Sequence, residues 1–321
     1  MLEKPRLTNN LVFSFLMSSP GSEEAAKSFI NAALEDVGRP LTKSVSLLNP
    51  FSLAPFLSGK VSVLDVKAQD VDGRYFNVEM QTTNKKGFNN RILYYGTKLY
   101  SEQLAEGEDY SLLNPVVSIV VARFAMFPEL PGMHNVFTLS SEKNPQIVFS
   151  NQLQIHTIEL IKEQLPAADK VNSKLYSWID FFNNGHEKSE VDMIELLEDP
   201  GLALAIKKYR EFCRDPKLRE LAMLQEKAER DRRAELSYAQ EEGLAQGLAQ
   251  GMAQGMANGV LVGLKKAIVR RFTKRFPDAD VSEVQQTLEP ITDEDRLNEI
   301  LDLVFDCANE PEFIAQVKQV Q

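Results

Sequence analysis

VLDVKAQDVDGRYFNVEMQ, residues 63–81, is the stretch whose reading decides the fold. Its second half alternates. Phe76, Val78 and Met80 take one face of a strand, and Tyr75, Asn77, Glu79 and Gln81 take the other. Its first half is a second strand in which Val63, Asp65 and Lys67 share a face. The turn between them sets whether Asp65 meets Glu79. A two-residue Asp72-Gly73 loop pairs Asp65 with Met80 and sends the two carboxylates to opposite faces. A three-residue Val71-Asp72-Gly73 loop pairs Asp65 with Glu79 and needs a left-handed residue at its third position. Glycine is the residue that adopts that conformation at no steric cost, so the three-residue loop is expected. Two carboxylates directly opposite repel. A divalent ion such as Mg²⁺ or Mn²⁺ between them removes that cost, because hard cations take oxygen ligands. The simpler alternative is that one of the acids faces solvent.

Outward from this hairpin, residues 23–36 (EEAAKSFINAALED) read as an amphipathic helix with Ser22 before it. Residues 41–48 read as a strand stopped by Asn49-Pro50. Residues 62–69 and 74–82 are the two hairpin strands, and 89–105 a helix closed by Gly107. PVVSIVVARF, residues 115–124, is a β-branched run suited to a strand buried on both faces. Residues 136–139 and 146–149 are weaker strands, and 158–165 and 171–183 read as helices. The order is α-β-β-β-α-β, then helical.

From residue 191 the pattern is helical. Residues 202–240 favour one long helix, rich in Glu, Lys, Arg, Leu and Ala. Then comes EEGLAQGLAQGMAQGMANGVLVG, with glycines at 243, 247, 251, 255, 259 and 263. A four-residue step overshoots a helical turn by about 40°, so the glycine row winds around a straight helix. The segment is a low-complexity spacer, or a weak helix rescued by close helix contact in self-association. A last module, 264–321, opens with a basic helix carrying Lys265, Lys266, Arg270, Arg271, Lys274 and Arg275 and is stopped by Pro277. That helix is a solvated face or an accessory phosphate contact. The expected divisions are therefore 1–190, 191–240, 241–263 and 264–321.

The 321 residues carry a formal charge of −10, which argues against a wholly basic DNA-binding surface. Locally the balance reverses. Between residues 60 and 98, Lys60, Lys67, Arg74, Lys85, Lys86, Arg91 and Lys98 outnumber Asp65, Asp70, Asp72 and Glu79. No apolar run reaches the roughly 20 residues of a membrane span. Residues 1–10 lack the apolar stretch of a secretory signal. Cys213 and Cys307 lie far apart, so no disulfide framework or Cys-rich zinc site can be argued from them and a cytoplasmic home is expected; His134, His156 and His186 show no ligand spacing.

Asp65 followed by Glu79-Met80-Gln81 on the next strand resembles the PD-(D/E)xK nuclease core. More closely, the chain resembles the Rpn family of recombination-promoting nucleases, also labelled transposases. The stretches that carry the likeness are LLNPF (47–51), residues 63–81, FNNRILYYGTKLYSEQLAEGEDY (88–110), LLNPVVSIVVARFAMFP (112–128) and IHTIELIK (155–162). The resemblance implies an α/β, restriction-endonuclease-like core of order αβββαβ, a central mixed sheet flanked by helices, followed by an α-helical C-terminal region. It implies a bacterial, Mg²⁺- or Mn²⁺-dependent DNA endonuclease that promotes recombination. Asp65, Glu79 and Gln81 become the catalytic set, with Asp65, Glu79 and the Met80 carbonyl as metal ligands. Gln81 stands where the wider superfamily has Lys, and being neutral it can only orient water by hydrogen bonds. Arg91, Tyr95 and Lys98, at i, i+4 and i+7, share a helix face and with Lys67 are candidate DNA contacts. Glu24 is a supporting acid by analogy with first helices of the superfamily. Ser14 follows Phe13 where family members often carry Lys. A catalytically weak DNA-binding or self-associating protein that keeps the fold is the alternative. The expected partners are DNA and a second copy of the chain, with no membrane.

Overall fold

The computed structural model describes residues 4–53, 66–162, 173–188 and 198–320. Two compact units divide at Arg230/Asp231. In the first unit the described elements begin with helices α1 (Asn10–Ser18) and α2 (Glu23–Asp36). They continue with strands β1 (Val45–Leu47), β2 (Val66–Asp70) and β3 (Tyr75–Gln81), helix α3 (Phe88–Ser101), and β4 (Val116–Ala122), β5 (His134–Ser140) and β6 (Val148–Glu159). Helices α4 (Lys174–Asn184) and α5 (Pro200–Arg214) complete it, with the first turns of α6 (Pro216–Arg275).

The strands form one mixed sheet in the order β1-β2-β3-β4-β6-β5. β4 lies at its centre, parallel to β3 and to β6. Every residue of β4 is buried, as its unbroken apolar run predicts. Phe76, Val78 and Met80 of β3 and Val117, Ile119 and Val121 of β4 join one core with α1, α2, α4 and α5. Alternation sends the intervening residues to the other face, where Phe88 and Ile92 of α3 pack on Val120. Trp178, fully buried, is ringed by Phe29, Phe181 and Phe182 at centroid distances of 5.5, 6.1 and 5.6 Å.

Three departures from the sequence reading have physical causes. α1 was not foreseen, because LVFSFLM is apolar all round and lacks an amphipathic period. Asn9 caps it, its side-chain oxygen accepting from Leu11 and Val12. Residues 158 and 159, expected in a helix, instead end the twelve-residue β6, followed by a 3-10 turn at Leu160–Lys162. Ladder pairing with both β4 and β5 outweighs the local helical spacing. Residues 202–240 form two helices, not one. Asp215 ends α5 and caps α6, accepting from the Lys217 and Leu218 amides, and Pro216 takes the first position of the new helix. Leu202, Ala205, Ile206, Tyr209 and Phe212 of α5 belong to the first unit's core.

α6 continues through the glycine repeat. Beyond the helix's own adjacent backbone, a methyl group placed on any of those six glycines would meet no atom within 4 Å among the described residues. In the second unit, α7 (Val281–Leu288), α8 (Glu294–Asp306) and α9 (Glu310–Val320) enclose Ile268, Phe272, Val284, Ile300, Val304 and Phe313. α6 ends at Arg275, before Pro277. Among the described residues no helix is long and apolar enough to cross a membrane.

A polar chain, its two histidine rings buried and its carboxylate partly exposed, closes the far edge of the sheet. The Asp36 carboxylate contacts His134 Nδ1 at 2.8 Å, and His134 Nε2 lies 3.0 Å from His156 Nδ1. Burial first, then the neighbouring His134 and Arg39, pull the His156 imidazole down to about 3 from its ordinary 6.5. The unfolded chain therefore takes up a proton below about pH 6.5 that the folded chain refuses until about 3. Stability is expected to fall on acidification through that window, by up to ~1.4 kcal/mol per pH unit. Urea unfolding followed by circular dichroism from pH 7 to 4 tests this. His156→Leu should flatten the slope, and an unchanged slope would contradict the assignment.

Candidate metal and nucleic-acid site

Asp70 builds the turn that sets the site. Its Oδ1 accepts from the Asp72 and Arg74 amides at 3.0 and 2.9 Å, and its Oδ2 accepts from Arg74 Nε at 2.8 Å. The backbone closes with Asp70 N donating to Arg74 O at 3.0 Å. Val71, Asp72 and Gly73 form the loop, and Gly73 is left-handed, with φ +85°. β2 and β3 then pair as Gln69↔Tyr75, Ala68↔Phe76, Lys67↔Asn77 and Val66↔Val78. This is the register of the three-residue loop. Asp65, the next residue of the strand reading, lies outside the described residues.

Glu79 and Gln81 stand side by side on the face that α3 covers, both nearly buried. The Arg91 guanidinium reaches down from the first turn of α3. Its Nη2 donates to Glu79 Oε1 and, at 3.2 Å, to Gln81 Oε1. Its charged plane lies 5.1 Å from the Phe88 ring centroid. Gln81 Nε2 donates to Thr83 O at 3.0 Å, which fixes the amide so that its oxygen, not its nitrogen, faces Glu79 and Arg91. Arg123 N donates to Gln81 O at 2.9 Å, holding the end of β3 to the chain leaving β4.

Around this pair the polar face holds more buried groups than the sequence reading singled out. Asn77 Oδ1, Ser118 Oγ and Thr157 Oγ1 are buried with no hydrogen-bond partner among the described residues. Asn77 and Ser118 are cross-strand neighbours. Gly96 lets α3 approach there, since a methyl group at Gly96 would sit 3.1 Å from Ser118 Oγ. The signal for Ser118 was present, as the lone polar residue inside VVSIVV. Its value depended on knowing which face of β4 meets β3.

The remaining residues of interest are dispersed. Lys67 is half-buried beside Asn77 on the same face. Tyr95 is half-buried and packs edge-on to Tyr94 at 5.4 Å. Lys98 is exposed and pairs with Glu102 at 3.5 Å. Met80 sends its side chain into the apolar core, and its backbone lies in the β3–β4 ladder. Glu24 pairs with Lys27 at 2.7 Å on α2, which packs on the sheet face opposite Glu79. Arg74, counted among the local basic residues, is bound into the Asp70 turn. Ser14 is buried in α1, its Oγ 3.3 Å from Ser18 Oγ. A cleft of about 360 Å³ lies at the start of α3, lined by Asn84, Lys85, Lys86, Phe88, Asn89 and Asn90 among others.

Among the described residues, no three His, Cys, Asp or Glu side chains converge as a ready metal cage. The donor chemistry nevertheless suits a hard divalent ion. A carboxylate and an amide oxygen converge on one point, and a positive charge already occupies it.

A mixed sheet carrying an acid and an amide on one strand, with helices on both faces, is the architecture of a PD-(D/E)xK nuclease core. The chain belongs to that superfamily: the model of the family described as PD-(D/E)XK nuclease family transposase matches residues 7–239. No curated protein and no solved structure matches the chain.

Gly73 supports the register twice. A side chain there would be forced into the left-handed region, and its Cβ would fall 2.4 Å from Asn114 Oδ1. Gly73→Ala is expected to cost about 1–3 kcal/mol. Urea denaturation measures this, and a neutral result would show that the turn does not depend on glycine.

Proposed function

We propose that this chain is a divalent-metal-dependent DNA endonuclease whose catalytic set is Asp65, Glu79 and Gln81. The observation that carries the reading is the buried pair of oxygens, Glu79 Oε1 and Gln81 Oε1, converging on one cation. The β2–β3 register supports it, because it is that of the three-residue loop, the alignment in which the sequence reading sets Asp65 opposite Glu79. Family membership supports the reaction class.

In this reading Asp65, Glu79 and the Met80 carbonyl hold a Mg²⁺ or Mn²⁺ ion. When bound, the ion polarises a phosphoryl oxygen and acidifies a water. Gln81, with its oxygen turned inward, accepts a hydrogen bond from the attacking water and aligns it. It cannot supply the positive charge that a lysine at this position brings. Arg91 and Lys67 border the pair and contact the phosphate that is cut, Arg91 through its planar fork. Tyr95 and Lys98 extend the contact along α3, and the cleft with Lys85 and Lys86 continues it at the helix start. The basic balance of residues 60–98 serves the same end within an acidic chain. The cut ends produced are substrates for recombination.

Supercoiled plasmid incubated with the full chain and Mg²⁺ or Mn²⁺ tests the reading. The wild type should nick or linearise it. Asp65→Asn and Glu79→Gln should each lower the rate by about two orders of magnitude or more. Cleavage that survives both substitutions would refute the site. No cleavage by the wild type, with DNA still bound, would favour the non-catalytic binder.

A further inference from the structure

Arg91 has a second consequence for the same site. Its guanidinium sits where Glu79 Oε1 and Gln81 Oε1 converge. A divalent ion held by Glu79 Oε1 and this guanidinium cannot occupy the same space. We infer that Arg91 is a built-in counter-ion that a divalent cation displaces, so that the metal-free site is held closed by its own arginine. The inference rests on the reading of Glu79 as a metal ligand with Gln81 beside it.

Three observations make the arrangement a removable plug rather than a fixed structural pair. The Arg91 side chain retains about a third of its exposure, 34%, whereas Glu79 retains 10%, so the arginine has a way out and the carboxylate does not. Arg91 Nε is buried with no hydrogen-bond partner among the described residues, so the seat leaves a donor unused. The ring that the guanidinium lies against, Phe88, belongs to the same helix, so the side chain can leave its seat without moving the sheet. Gln81 is held differently. Its nitrogen is tied to Thr83 O, so its oxygen stays in position when the arginine leaves. Glu79 and Gln81 are therefore the fixed half of the site and Arg91 the exchangeable half. Once displaced, the guanidinium has all its donors available for a phosphate oxygen, so metal entry and phosphate contact are coupled through one side chain.

Mn²⁺ affinity, measured on the full chain by electron paramagnetic resonance without DNA, tests the inference independently of cleavage. Arg91→Met keeps a long unbranched side chain and removes the competing charge. It should bind Mn²⁺ about ten-fold or more tightly than the wild type. Arg91→Gln, which keeps a hydrogen-bond donor, should move in the same direction and replaces the methionine variant should that one fail to fold. Arg91→Lys retains the charge and should stay within a few-fold of wild type. Millimolar methylguanidinium should weaken Mn²⁺ binding in Arg91→Met and leave the wild type unaffected, which a merely structural role would not produce. Unchanged or weaker binding in both neutral variants, with Glu79→Gln abolishing it, would overturn the counter-ion role and leave the metal site standing. Mn²⁺ binding indifferent to Glu79→Gln in every background would overturn the site itself, and the inference with it.

Discussion

The Asp70 carboxylate is the constraint on which the site depends. Three donors, two amides and one guanidinium nitrogen, converge on it and leave the β2–β3 turn a single length. Turn length sets register, and a slip of one residue would send every side chain of β2 to the opposite face. The apolar residues of that strand, Val66 and Ala68, are fully buried in the main core, so the slip would also expose them. Electrostatics at the turn and burial along the strand thus enforce the same alignment. The acid that secures the hairpin is not one of the acids proposed for chemistry.

From that alignment the two faces of β3 acquire separate tasks. Phe76, Val78 and Met80 bind the strand to the helical layer of α1, α2, α4 and α5. Asn77, Glu79 and Gln81 are left on the face where, among the described residues, α3 packs with few apolar partners. Holding polar groups there is costly unless they are paired. Arg91 meets part of that cost for Glu79 and Gln81, whereas Asn77, Ser118 and Thr157 keep unpartnered oxygens among the described residues. The polar row is where the core's packing logic gives way. Sites of chemistry are often found at such breaks.

Much of this was legible in advance, for reasons that differ by element. The alternation of β3 and the Gly73 turn could be read because strand periodicity and left-handed backbone are local properties. β4 could be read because only a strand buried on both faces tolerates VVSIVV. α1 could not, because an all-apolar helix carries no period. The extension of β6 to Glu159 could not either, because its pairing partners lie far away in sequence. At the site, the face shared by Glu79 and Gln81 was predictable from spacing. The orientation of the Gln81 amide depends on Thr83 O, and the seat of Arg91 on how closely α3 approaches at Gly96. Both are tertiary facts. Glu24 illustrates the converse, since its helix lies on the wrong side of the sheet to meet Glu79.

The aromatic cluster around Trp178 has an optical consequence. Trp178 is the chain's one tryptophan, and it lies in the first unit, fully buried among phenylalanines. Its emission reports the polarity at the centre of the αβ core and nothing about the helical unit from Asp231 onward. The second unit holds Tyr238, which is largely exposed, and no tryptophan. Excitation at the red edge of the absorption band therefore isolates one folding unit within the intact chain, while the helical signal in the far ultraviolet sums over both. Any difference between the two melting curves measures how independently the units unfold.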